Sequence, residues 1–241
     1  MIPIRDVWVY LAATPLVWLT LTLLAYVFAF ALYRRSGLNP LVNPVAIAIA
    51  LLCILLLATH TPYARYFEGA QFVHFLLGPA TVALAVPLHE QWPKLRQHWV
   101  ALMGGLVVGV LVASGSAVLI ARALGASHIT LASLAPKSVT TPVAMGISEK
   151  IGGLPSLTAV AVVLTGIIGA AFARSVLNGL RIQDHAVRGF AVGLAAHGQG
   201  VARAFLISEE MGAFAGLAMG LAAVLSAFVL PVAARWLLEL L

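Results

Sequence analysis

Residues 98–121 read HWVALMGGLVVGVLVASGSAVLIA, and none of them is Lys, Arg, Asp or Glu. A helix that crosses the hydrocarbon core of a bilayer needs about 20 mostly apolar residues, because each adds only ~1.5 Å of rise. This stretch meets that length. So does 7–33, VWVYLAATPLVWLTLTLLAYVFAFALY, with no formal charge in 27 positions. Of the 241 residues, 62% are hydrophobic and only 9% charged, with a mean hydropathy of +1.03. A soluble domain carries about 25% charged residues to cover its surface, so a water-soluble fold is excluded. The chain is expected to be an all-α polytopic membrane protein.

Outward from these two runs, further apolar segments fall at 44–58, 71–88, 129–147, 154–173, 189–207 and 212–238. Connections are short, and no stretch has the composition of a linker, so one membrane domain over 1–241 is expected, with about seven or eight transmembrane or re-entrant helices. The first run is too long for a secretory h-region, and Arg34-Arg35 follows it as the cytoplasmic flank of a retained helix. The net charge of +6 comes from scattered basic residues that suit helix-end anchors, not a nucleic-acid surface. Cys53 is the sole cysteine, so intrachain disulfides and thiolate metal sites are excluded.

Three segments depart from plain spans: 78–90 (GPATVALAVPLHE), 137–149 (KSVTTPVAMGISE) and 198–209 (GQGVARAFLISE). Each runs from small or hydroxyl residues through an apolar stretch to an acidic end, and a long apolar helix follows. Ile-Ser-Glu recurs at 147–149 and 207–209. An internal repeat is one reading, and chance similarity in Ala/Val/Gly-rich sequence is the other. Transporters are often built from repeats whose discontinuous helices meet near the bilayer midplane. Gly78-Pro79, Pro136, Pro142 and Gly198-x-Gly200 are places for helices to break. Gly104-Gly105, Gly109, Gly166 and Gly169 are read instead as close helix packing. If every segment crosses, Arg174, Arg181 and Arg188 fall outside, against the positive-inside rule. A re-entrant 129–147 brings them back inside.

Lys137 lies among Ser138, Thr140 and Thr141 between Pro136 and Pro142. An ammonium there either snorkels to headgroups or balances a bound carboxylate to which the hydroxyls donate. Arg203, the only formal charge between Arg188 and Glu209, either forms an ion pair with Glu149, Glu209 or Glu210 or grips a carboxylate with its planar fork. His197 either shuttles a proton or bridges helices. Thr81 follows the Gly78-Pro79 break and is a further candidate for the same cavity. Asn39 and Asn43, each next to a proline, read as helix caps. Every carboxylate lies at an end or loop, which disfavours a cation pathway and points to an anionic substrate. The other histidines show no metal-ligand spacing, and hydrolase, zinc-protease and phosphate-loop motifs are absent. Neither a cofactor, a metal nor an enzyme activity is expected.

The stretches LLGPATVALAVPL (76–88), LAPKSVTTPVAMGIS (134–148) and AAHGQGVARAFLISEEMGAFAGLAMGL (195–221) give the chain its resemblance to the LrgB/CidB family. That family takes in YohK-like inner-membrane proteins and the C-terminal half of a plastid glycolate/glycerate transporter. The resemblance extends over most of 40–235. Val201 stands where members usually have Thr, and Gln199 where they often have Ile or a small residue, which puts selectivity in question. The resemblance implies a bacterial inner-membrane location and one of two functions. The first is transport of small monocarboxylates such as glycolate, glycerate or pyruvate. The second is holin-like modulation of murein hydrolase export and lysis, with a small LrgA/CidA-type membrane partner. A lysis scaffold needs no cationic and hydroxyl cluster, and a carboxylate transporter does. Transport by alternating access, in a homodimer, is therefore the expectation.

Overall fold

Prolines and small capping side chains mark where helices begin. The computed structural model describes residues 15–39, 41–76, 79, 82, 83 and 85–240. Among them are ten α-helices and no strand. They are α1 (Pro15–Arg35), α2 (Pro44–Ala58), α3 (Tyr63–Phe75), α4 (Ala85–Glu90), α5 (Trp92–Ala123), α6 (His128–Leu134), α7 (Thr141–Lys150), α8 (Pro155–Gly179), α9 (His185–Phe205) and α10 (Glu209–Leu240). Pro15, Pro44, Pro93, Pro142 and Pro155 all fall in first turns, where a missing N–H costs nothing. The chain divides into two compact units, Met1–Ala83 and Leu84–Leu241.

In the first unit, α1 packs against α2 and α3. The Asn43 side chain caps α2, accepting from the N–H groups of Val45 (2.9 Å) and Ala46 (3.1 Å). Asn39 accepts from Leu41 N–H in the turn before it. Trp18 is fully buried and meets the Tyr66 ring edge-on at 6.0 Å. A Cβ on Gly69 would run into the Pro15 carbonyl and the Trp18 side chain, so only glycine lets α3 approach α1 this closely.

Among the described residues four helices are long and apolar enough to cross a bilayer: α1, α5, α8 and α10. At 15 residues α2 spans only about 22 Å, so among the described residues four helices reach crossing length, and the others are shorter or broken. Leu164, Ile168, Phe172 and Val176 repeat every fourth residue along α8, each at least half exposed. An apolar stripe of that kind is untenable in water and ordinary against lipid.

In the second unit α10 is central, touching α4, α5, α6, α7 and α9. The apolar run 129–147, where breaks were expected at Pro136 and Pro142, is two short helices: α6 and α7 flank an irregular tip at residues 135–140. Ser133, Ser148 and Thr158 are fully buried and hold this pair to α8. Thr158 Oγ1 lies 2.7 Å from Ser148 Oγ and 2.9 Å from the Ser133 carbonyl, while Ser133 Oγ accepts from Leu154 N–H at 2.8 Å. Ser133 thus lies beside the end of α7, so the two short helices run antiparallel on either side of the tip.

The 21 residues of α9 also form two arms. His197 interrupts the helix with φ 39° and ψ −131°, and the chain doubles back there. A Cβ on Gly200 would meet the Val192 carbonyl oxygen at 2.5 Å and the Ala196 Cβ at 2.9 Å. His185 Nδ1, at the start of the first arm, lies 2.7 Å from Ser208 Oγ, beyond the end of the second. An unbroken helix would hold its two ends roughly 30 Å apart, so α9 is a helical hairpin with His197 at its tip. Its first arm packs tightly on α10: a Cβ on Gly189 or Gly193 would strike the Met211 or Ala215 carbonyl.

Candidate functional site

The two tips approach each other beside the middle of α8. His197 is buried, and its Nε2 donates to the Val162 carbonyl at 3.0 Å. A carbonyl can only accept, so Nε2 carries a proton and, in the neutral ring, Nδ1 keeps a lone pair. Gln199 Nε2 donates to the next carbonyl, Val163, at 3.3 Å. Gly166 makes room for both: a Cβ there would lie 2.7 Å from His197 Cε1 and 3.0 Å from Gln199 Cδ. Likewise Gly169 lies under Ala196 and Gly109 under Leu194, so these glycines serve close packing.

The other tip lies close by: Ala135, Pro136, Ser138 and Val139 share a small cleft with Leu194, three residues ahead of His197. Lys137 and Ser138 are each half-buried, and Lys137 Nζ donates to Ser138 Oγ at 3.2 Å. Because Ser138 Oγ accepts from the ammonium, its own proton is left to donate onward. Thr140 is the N-cap residue of α7 and Thr141 its first residue, with their half-buried side chains at a helix start. A helix N-terminus presents unsatisfied N–H groups and a partial positive charge, suited to an anion.

The structure therefore joins Lys137 to Ser138 and sets their tip beside the α9 arm that ends at His197, with Thr140 and Thr141 at the adjoining helix start. Arg203 is half-buried on the returning arm of α9, roughly 9 Å along it from His197. Glu210, one ion-pair partner considered for Arg203, pairs with Lys94. Thr81 and Gly78 lie outside the described residues. Val201 packs in an apolar cluster with Leu177, Val192, Ala204, Met211 and Ala215, so it does not line the polar tips.

Sequence reasoning passed over three features. Gly189 and Gly193 form a Gly-x-x-x-Gly spacing, which was the available signal for the close approach of α10. Arg188 is buried and donates through Nη1 to Asn178 Oδ1 (2.8 Å) and the Ile182 carbonyl (2.9 Å), closing the α8–α9 turn. Ser226, in mid-α10, is fully buried. Among the described residues no three His, Cys, Asp or Glu side chains are placed to hold a metal.

Residues 22–236 match the LrgB-like family. The YxaC protein of Bacillus subtilis (strain 168) is 36% identical over 229 residues, covering 95% of this chain and 99% of the relative. The YwbG protein of the same organism is 38% identical over 213 residues, 88% of this chain and 94% of its own length. An antiholin-like protein LrgB from Bacillus mycoides (strain KBAB4) is 31% identical over 218 residues, 90% and 95% respectively. No solved structure matches.

Proposed function

This chain belongs to the LrgB-like family and is an integral membrane protein with four long apolar helices; we propose that its second unit carries a small organic anion across a bacterial inner membrane. The observation that supports this reading is the approach of two broken-helix tips, one bearing Lys137 and Ser138, the other on the arm that ends at His197. Interrupted helices with cationic and hydroxyl groups at their tips suit a substrate carboxylate. In this reading the carboxylate binds Lys137, Ser138 and the N-terminus of α7 with Thr140 and Thr141. Arg203 guides the anion along the returning arm, and one part of the unit moves against another to expose the site alternately. Proton coupling runs through Nδ1 of His197 or by co-transport of the protonated acid. Short monocarboxylates of the glycolate, glycerate or pyruvate kind match the site's charge.

A second reading has its own support. Relatives at 31% identity bear the name antiholin-like protein, and that name favours a modulator of lysis, acting with a small LrgA-type membrane partner, over a transporter. Uptake of labelled glycolate and pyruvate into proteoliposomes of the purified chain separates the two. Transport predicts saturable uptake that Lys137→Ala reduces at least tenfold and Arg203→Ala also weakens. Equal uptake by wild type and both variants would overturn the site. No uptake of any short carboxylate, with or without an LrgA-type partner, leaves the antiholin-like reading standing.

A further inference from the structure

Arg188 is buried, yet no carboxylate among the described residues forms an ion pair with it. Asp184, four residues earlier, turns its side chain onto the Val187 N–H at 2.9 Å and caps α9. Arg188 itself stands in the first turn of that helix, where the dipole disfavours a cation. A guanidinium withdrawn from water is costly unless an anion lies against it. Both hydrogens of Nη1 are engaged, one by Asn178 Oδ1 at 2.8 Å and one by the Ile182 carbonyl at 2.9 Å. Nε and Nη2 donate to no described residue. They are not sealed in, because Ser226 Oγ is the one side-chain polar atom among the described residues that is enclosed without a partner. The Nε–Nη2 edge thus opens outward as a planar fork, the geometry that grips two oxygens of one anion.

The place of this fork in the fold narrows the class of anion. The 25 residues of α8 extend about 37 Å, so a helix crossing ~30 Å of hydrocarbon delivers its last turn to headgroup level. Asn178, which holds Arg188, lies in that turn. Arg174 precedes Asn178 by four residues on the same helix face. Arg181 follows it in the turn at φ 56°, with its N–H on the Asn178 carbonyl. Both of these arginines are exposed. A carboxylate has two oxygens, which the fork uses up, whereas a phosphate keeps others for further cations. We propose that Arg188, backed by Arg174 and Arg181, binds a phosphate group at the α8–α9 turn. An anionic phospholipid headgroup and free phosphate share that chemistry, and the depth of the turn favours the headgroup. Bound phosphate neutralises Arg188, offsets the adverse dipole and leaves the hydrogen bonds that close the turn intact. The site stands apart from the Lys137 tip and does not depend on the transport reading.

Native mass spectrometry of the purified chain in neutral detergent tests this, with phosphatidylglycerol, phosphatidylcholine and inorganic phosphate as probes. Wild type is expected to hold phosphatidylglycerol about tenfold more tightly than phosphatidylcholine, the order of one charge-assisted contact. Arg188→Lys keeps the charge, loses the fork, and should weaken phosphatidylglycerol binding about tenfold. Arg174→Ala and Arg181→Ala should each weaken it less. Asn178→Asp separates binding from folding. Its carboxylate still accepts from Nη1 and keeps the turn closed, but supplies the counter-charge from within. That variant should lose the preference for phosphatidylglycerol while melting no lower than wild type. Inorganic phosphate that binds alone and displaces the lipid identifies free phosphate as the source, and lipid that resists displacement identifies the headgroup; either result supports the site. Equal retention of the two lipids by wild type with no binding of inorganic phosphate overturns the proposal. So does a lipid preference unchanged in Asn178→Asp, whether or not Arg188→Lys folds.

Discussion

His197 holds φ 39° and ψ −131°, a region that residues with a Cβ rarely occupy and that costs about 1–3 kcal/mol. Evolutionary convenience would place glycine there, and Gly198 is the next residue. A histidine kept in that conformation is held by its bond to the Val162 carbonyl and by the tight seat over Gly166. His197→Gly should therefore melt close to wild type, because relief of strain offsets the lost hydrogen bond. His197→Ala keeps the strain and loses the bond, and should be less stable by about 1–2 kcal/mol. Equal melting of the two variants in detergent would remove strain from the account. Val201→Thr introduces the residue that the family resemblance led one to expect, but it places a hydroxyl in the apolar cluster around Leu177 and Met211. It should cost about 1–3 kcal/mol unless the hydroxyl finds a backbone carbonyl, with no change in the glycolate-to-acetate uptake ratio. A changed ratio would return Val201 to the site. Lys137 was legible in the sequence because an ammonium among aliphatic residues has few bland explanations. Ser226 was not, since one serine in an alanine-rich helix gives no sign of whether its hydroxyl is satisfied.

Proline and glycine gave away the breaks only approximately. Gly198-x-Gly200 marked the hairpin, but the turn itself falls on His197, and Gly200 is required for the close return of the second arm against Val192. Pro136 and Pro142 bracket the other tip, as their place in the sequence led one to expect, but the extent of the irregular stretch at 135–140 was not legible from hydropathy that is continuous across 129–147. The charged helix α3 was overlooked for the opposite reason: Arg65, Glu68, Gln71 and His74 lower its hydropathy, and its pairing with α1 depends on Gly69. The α9 hairpin has a direct chemical test. In a Cys53→Ser background, His185→Cys with Ser208→Cys should form an intramolecular disulfide on mild oxidation, visible as a gel shift reversed by reductant. A pair on a continuous helix could not react. Substitution of Gly193 by alanine sets a methyl against the Ala215 backbone; the hairpin should part from α10, with a lower melting temperature and a weaker cross-link. An unchanged melt and cross-link would mean that α9 and α10 are not held by this contact.

The number of crossings could not be read from hydropathy, because re-entrant arms and spanning helices are equally apolar. The side of the membrane on which each helix begins follows instead from contacts within the second unit. Lys94, in the first turn of α5, pairs with Glu210 in the first turn of α10. His185, at the start of α9, meets Ser208 just ahead of α10. The starts of α5, α9 and α10 therefore share one end of the unit. A crossing by α5 carries the chain to the opposite side, the α6–α7 pair dips in and returns there, and α8 brings it back to Asp184 and His185. With α5, α8 and α10 as crossings, the two hairpins enter from opposite faces, and the His197 tip lies at Val162–Gly166, close to mid-α8. Lys94, Arg96, Arg181 and Arg188 then share one side, as the positive-inside rule asks of the cytoplasm. Single cysteines replacing Lys94, Lys150 and Arg181 in the Cys53→Ser background test the path in sealed, right-side-out vesicles with an impermeant maleimide. Position 150 should label from outside, and positions 94 and 181 only after the vesicles are opened. Labelling of 150 and 181 from the same face would mean that α8 does not cross between them, and the opposed-hairpin arrangement would fall with it.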